Sequence, residues 1–190
     1  MTHPSTRYVC RARAVTLSLM SRTLSLSDYA VLAALGEGPA HGFRLAGLFA
    51  KGGDLGGVWT VQRPQIYRAL LRLEGLGYTR VVEQTSSESG PPRSVYAPTE
   101  AGETALNAWL EHPTLHLRDA RNELLLKLAF LERRGLNSEL LLAAQTAHFR
   151  RIRDDYRLRL EHATGAERLA LEWRSVMAEA ALEFLAARRL

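Results

Sequence analysis

A chain of 190 residues, 46% hydrophobic and 24% charged, has the composition of a globular protein and the length for one domain or two small ones. Its single cysteine, Cys10, excludes an internal disulfide and a cysteine-rich zinc site, which suits a reducing compartment and a cytoplasmic location. No apolar run approaches the length of a membrane-spanning helix, and the net charge of +5 favours a polyanionic partner.

That charge is unevenly spread. Residues 1–22 carry Arg7, Arg11, Arg13 and Arg22 and no acidic residue. Their apolar part, Ala14 to Met20, is short and interrupted and leads to no cleavage site, so they read as a flexible basic arm rather than a signal peptide. Residues 23–111 hold seven basic and nine acidic residues, a balance of −2, and residues 112–190 hold fourteen and eleven, or +3. A nucleic-acid-binding surface within 23–111 therefore has to gather its cations on one face.

Ser25 and Asp28 are helix-capping side chains ahead of a first helix through Leu35, which Gly36, Gly38 and Pro39 end. A second helix runs from His41 to Lys51 and is expected to turn Phe43, Leu45, Ala46 and Phe49 toward a small core. The cluster Gly52, Gly53, Gly56 and Gly57 lacks the lysine and glycine spacing of a phosphate-cradling loop and reads as a turn.

Residues 60–78 organise the rest. Ile66, Ala69, Leu70, Leu73 and Leu76 recur at helical spacing and mark a buried face. Pro64 suits a first turn, and Gly75 or Gly77 suits the left-handed conformation that stops a helix. Gln65, Arg68 and Arg72 share a stripe outside the apolar face, with the chemistry to meet guanine, adenine and phosphate in a major groove. Next come a strand from Tyr78 to Gln84, a run of turn formers from Thr85 to Pro92 and a strand from Arg93 to Ala97. A hairpin directly after a basic helix is the layout of a winged helix, with Arg80 and Arg93 on the wing. Thr99 caps a further helix from Glu100 to Glu111, with Ala101, Ala105, Leu106 and Trp109 on its inward side. His112 and Pro113 break the chain and mark a domain boundary.

The second half reads as helical throughout. Leu124, Leu125, Leu128 and Leu131 mark a helix from Leu117 that Gly135 stops. Ser138 caps a helix striped by Leu141, Leu142, Gln145, Phe149, Ile152, Tyr156 and Leu160. After Gly165 comes a last helix with Leu169, Trp173, Val176, Met177, Ala180 and Phe184 on one side. Three helices bury such wide faces poorly, so a partner's helices are expected against them.

Leu24 to Ser27; Gly38, Pro39, His41, Gly42 and Phe43; Ile66, Tyr67, Leu70, Leu73, Glu74 and Gly77; and Tyr96, Thr99, Glu100 and Gly102, in this order and spacing, resemble the N-terminal winged helix of the PadR family of bacterial transcriptional regulators. Two positions depart from that pattern: Tyr78 stands where an aliphatic residue is usual, and Pro98 where leucine is common. The second half resembles the long helical region of the larger PadR-type regulators. The resemblance implies a mainly α fold with a small β-hairpin wing: a winged helix-turn-helix over 23–111 followed by a helical dimerisation and effector region over 112–190. It also implies a homodimeric repressor that binds double-stranded DNA at a dyad-symmetric operator, without a cofactor. The DNA-binding side chains expected are Arg63, Gln65, Tyr67, Arg68 and Arg72 of the recognition helix, with Arg80 and Arg93. Trp109, Phe149, Arg153, Tyr156 and Trp173 are the expected contacts of a small aromatic, acidic effector.

The six histidines form no ligand pattern, Pro113 disrupts the helix that would align His112 with His116, and no nucleophile–base pair can be assembled, so neither a metal site nor an enzyme is expected. His41 reads as a structural hydrogen-bonding residue. A second reading stays open: a dimeric helical interaction protein whose winged helix does not bind DNA.

Overall fold

A computed structural model describes residues 24–87 and 90–188, and the side chains of these except between 85 and 93. The basic arm expected over 1–22 lies outside the described residues. Helix α1 (Leu26–Leu35) starts at Ser25, whose hydroxyl accepts from the Asp28 N–H at 3.2 Å while the Asp28 carboxylate accepts from the Ser25 N–H at 2.7 Å. This reciprocal cap satisfies two of the backbone donors that a helix start leaves open. From Ala30 to Leu35 every side chain of α1 is buried, because α3, α4 and α5 all pack around it.

A short strand, β1 (Ala40–His41), precedes α2 (Gly42–Leu48), so the chain reads α-β-α-α-β-β-α rather than three helices in direct succession. The strand was not expected, since two residues carry no alternation to read. His41 caps α2 by accepting the Arg44 N–H on Nδ1 at 3.0 Å, the structural role expected of it. Helix α2 is shorter than expected, ending at Leu48, and buries Leu45 and Phe49. Phe43 departs from expectation: it is 60% exposed. At about 100° of helical rotation per residue it lies roughly opposite Leu45, and only one of the two can face the core. The glycine-rich stretch after it forms the expected turn.

Helix α3 (Arg63–Gly75) buries Ile66, Ala69, Leu70 and Leu73 and stops at Gly77, whose φ of 76° is the left-handed conformation. The wing is longer than expected: β2 (Thr79–Ser87) and β3 (Gly90–Pro98) take in much of the stretch read as a turn. They pair antiparallel from Thr79↔Pro98 to Ser87↔Gly90, with irregular register between Thr85 and Ser87. Pro91 and Pro92 fall opposite that irregular stretch, where the ladder has no need of the donors that proline lacks. Strand β3 lies between β2 and the short β1.

Helix α4 (Glu100–Glu111) follows. The Thr99 hydroxyl donates to the Gly77 carbonyl at 2.7 Å and accepts from the Gly102 N–H at 3.1 Å, binding the helix start to the end of α3. A side chain at Gly102 would run into the Tyr78 carbonyl, so only glycine allows this approach. Leu106, Trp109 and Leu110 are buried, whereas Ala101, expected inward, is exposed because the helix turns Gly102 toward Tyr78 and Leu32 instead.

The helix expected from Leu117 to Arg134 divides into a 3-10 turn (Leu117–Asp119), a π turn (Ala120–Leu124) and α5 (Leu125–Arg133), before Gly135 stops it with φ 64°. Helix α6 (Glu139–Leu160) is not capped by Ser138; the Asn137 side chain accepts the Glu139 N–H instead, at 2.6 Å. Helix α7 (Gly165–Ala187) folds back along α6, so that Arg159 meets Glu167 near the turn and Arg153 meets Glu179 farther along.

One buried cluster runs through both halves. Phe130 of α5 packs 6.4 Å from Phe49, and Leu126, Leu128 and Leu131 belong to the same core as α1 and α3. Arg133 reaches back to Glu37 at 2.6 Å and to Asp54 at 3.3 Å, and its bond to Glu37 raises its pKa above the ordinary value.

Candidate nucleic-acid interface

The exposed face of α3 carries the expected side chains, but the structure sorts them. Arg72 lies 3.2 Å from Asp28, whose side chain is only 3% exposed. A buried carboxylate needs a partner, so Arg72 serves the scaffold as well as the surface. Gln65 is also engaged: its Oε1 accepts the Gln62 N–H at 3.1 Å and closes the start of α3. Bidentate pairing with adenine needs both ends of that amide, so DNA has to share or displace the Gln62 contact.

Arg68 is exposed and has no ion-pair partner among the described residues. Arg63, the first residue of α3, carries its guanidinium 5.3 Å from the centre of the Phe43 ring and 5.7 Å from that of Tyr67. Gly42 makes this cluster possible: a Cβ there would sit 2.7 Å from the Tyr67 ring. Aromatic faces attract a guanidinium through their quadrupoles, and the stacked fork keeps its N–H edge outward. Arg80 is exposed at the start of β2, and the backbone of Arg93 pairs with Thr85 across the hairpin, while its side chain lies outside the described ones. The cations therefore collect on α3 and at the wing root of a segment whose overall charge is slightly negative. Phe43 is the member that sequence reasoning missed, though its position off the Leu45–Phe49 face was a usable signal.

The side chains expected around an aromatic effector do not form one group. Trp109 is buried and stacked on Tyr29 with ring centres 4.9 Å apart and planes 5° apart. Phe149 is fully buried, and Arg153 is engaged with Asp154 and Glu179. Tyr156 and Trp173 do meet, on an open groove of about 1190 Å³ between α6, α7 and residues 115–125. Arg121, Arg151 and Arg174 stand on the same groove, over an apolar floor that includes Leu124 and Phe184.

Beside that groove the connection to α4 is pinned. Lys127, 1% exposed, pairs with Glu123 at 2.6 Å, donates to the His112 carbonyl at 2.8 Å and lies 5.1 Å over the Trp109 ring. Burial lowers its pKa, against the opposing pull of Glu123. The Gln145 amide accepts the Thr114 N–H at 2.7 Å and donates to the Thr114 carbonyl at 3.0 Å, and a His148 ring nitrogen lies 2.8 Å from the Leu115 carbonyl. Among the described residues no group of three or more His, Cys, Asp and Glu is placed to hold a metal, and no helix is long and apolar enough to cross a membrane.

The chain is similar to several known proteins. The probable transcriptional regulator Rv1176c of Mycobacterium tuberculosis is 32% identical over 98 residues, or 51% of this chain and 50% of that protein, so the match spans about half of each. Bacillus subtilis PadR in complex with operator DNA aligns at 20% identity and a TM-score of 0.46, over 86% of this chain and 96% of that one. The Vibrio cholerae virulence activator AphA aligns at 24% identity and a TM-score of 0.37, over 86% and 95%. The family model of the transcriptional regulator PadR-like family matches residues 31–108, which run from α1 through α3 and the β2–β3 hairpin into α4. Over that segment the chain is similar to the PadR-like family of transcriptional regulators.

Proposed function

We propose that this regulator is a cytoplasmic, sequence-specific repressor that grips a dyad-symmetric operator as a homodimer and releases it when a small aromatic acid binds. The observation that carries the DNA-binding half is the exposed start of α3, where Arg63, Tyr67 and Arg68 stand together without acidic partners among the described residues. In a helix-turn-helix the first turns of the recognition helix reach the base edges. Arg80 and Arg93 on the wing hold phosphates, and Gln65 and Arg72 join them once DNA competes for their side chains.

Labour divides near residues 112–114. Residues 23–111 contact DNA; residues 112–190 supply the second copy and the ligand. Leu169, Trp173 and Val176 on α7 are 63–70% exposed in the single chain, and such a bare apolar stripe is what a partner's helices cover. The groove beneath it takes the effector, its ring against Tyr156 and Trp173 and its carboxylate toward Arg121, Arg151 and Arg174. The pinned connection at 112–115 borders that groove and continues into α4, so a ligand there shifts the winged helix through His148 and Leu115.

Fragments of genomic DNA selected by the purified protein, then titrated across salt concentrations, test the DNA-binding reading. Affinity falls steeply with salt, the logarithmic slope growing by about 0.9 for each phosphate neutralised. Absence of any selected fragment, or binding indifferent to salt, overturns it and favours the interaction-protein reading. Titration of phenolic acids against tryptophan fluorescence and operator affinity tests the effector, which falls if no compound moves both.

A further inference from the structure

An apolar ring 60% exposed at the start of α2, pressed against the first cation of the recognition helix, has no role in the core. We propose that Phe43 reads bases: its ring packs on the C5-methyl group of a thymine in the major groove, beside the base that Arg63 contacts. The proposal rests on the DNA-binding reading above and extends it to a residue of the preceding helix.

Three features converge. Phe43 lies at the N-terminal end of α3, the end that a helix-turn-helix presents to base edges, so an exposed group there faces the groove floor. The ring is held in place. Arg63 stacks between it and Tyr67, Tyr67 fills the gap that Gly42 leaves, and the His41 ring that caps α2 lies 6.2 Å behind Phe43. A held ring loses little freedom on binding. Finally, the thymine methyl is the one apolar group that the major-groove edges of the bases display, and apolar side chains including Phe are its partners. Arg63 at the same spot has the fork to pair with guanine, so the cluster favours a thymine next to a guanine over two strong pairs. A wedge that unstacks bases from the minor groove would place the same ring differently, because the α3 start would then point away from it.

The test uses the full-length protein and an operator selected from random DNA, compared with the same operator in which deoxyuridine replaces every thymidine. That exchange deletes methyl groups and leaves every hydrogen-bonding edge intact. The wild type is expected to lose about fourfold in affinity for each half-site, the worth of one buried methyl group. Phe43→Ala binds the thymine operator more weakly by a similar factor, keeps its melting temperature and responds little to the exchange. Phe43→Leu, still apolar, keeps part of the response. Full sensitivity in Phe43→Ala, or none in the wild type, overturns the assignment while the DNA-binding reading stands. Failure of the wild type to select any DNA overturns both.

Discussion

The winged helix and the α6–α7 hairpin treat their apolar residues in opposite ways. In the winged helix α1 is covered on every side, and the apolar faces of α3 and α4 meet it; among its large apolar side chains, those left clearly exposed include Phe43, Tyr67, Leu71 and Val82. The hairpin buries Leu171, Ala178 and Leu185 on one side of α7 and leaves Leu169, Trp173, Val176 and Met177 to solvent on the other. Across α6 and α7, Arg157 meets Glu179 and Arg159 meets Glu167, surface pairs that contribute little each. One region covers most of its apolar side chains within the single chain, and the other leaves one face of α7 exposed.

The comparison breaks most visibly at α5, which lies beyond the break at 112–114 yet belongs to the winged-helix core. A chain ending at Glu111 loses Phe130, Leu126 and Leu128 from that core together with the cation under Trp109. It is expected to show no cooperative thermal transition, and a sharp one by circular dichroism would place the whole core upstream of the break. A smaller effect separates the members of the buried pair. Glu123→Gln leaves the Lys127 charge buried without its carboxylate and should cost about 3–5 kcal/mol, whereas Lys127→Met removes the buried charge and leaves only the part-exposed Glu123, so it should cost less. Because burial lowers the folded-state pKa of Lys127, the unfolded chain holds that proton more tightly. Its contribution to stability therefore rises with pH as the ordinary value of 10.5 is approached, and Lys127→Met should remove that rise. Denaturant melts across pH measure both.

Within α3 the same contrast is finer. Arg72→Ala leaves the Asp28 carboxylate buried without its cation and should lower stability by about 1–3 kcal/mol, a cost visible in melting as well as in DNA binding. Arg68→Ala should leave melting unchanged and cost DNA affinity alone, also about 1–3 kcal/mol if it contacts a base. Equal melting of the two variants would mean that Asp28 finds another partner. The least effect on the single chain is expected from Trp173→Glu on the bare face of α7. Sedimentation should show this variant monomeric at concentrations where the parent is dimeric, with the melting of the winged helix retained. A dimer of unchanged mass would move the interface off α7.

Much of this was legible in the residues because it is local. The face of α3, its proline start and its glycine stop follow from spacing and backbone freedom within one turn or two, and so do the caps of α1 and α4. The hairpin announced itself by β-rich runs around turn formers, although its length did not, since strand ends depend on what pairs across from them. Whether a side chain on the right stripe is free was not readable. Arg68 and Arg72 are both arginines on the expected stripe of α3, and only the approach of α1 gives Arg72 a buried carboxylate. Phe43 looked like core by type, and the fold turns it outward because Leu45 claims the inward side of a helix too short to hide both.

What the sequence alone determined, then, is most of the helices and the hairpin, the cation-bearing face of α3 and the amphipathic stripe of α7, all of them products of patterns local to the chain. The tertiary structure decided which of those faces meet inside the monomer. It drew α5 into the winged-helix core and parted Trp109 and Phe149 from the groove where Tyr156 and Trp173 stand. It also pinned residues 112–115 between the two regions with Lys127, Gln145 and His148. These are contacts between residues 15 to 33 positions apart or more. A helical pattern fixes what lies one turn away, and it carries no information about which of several apolar stripes a neighbouring helix will cover.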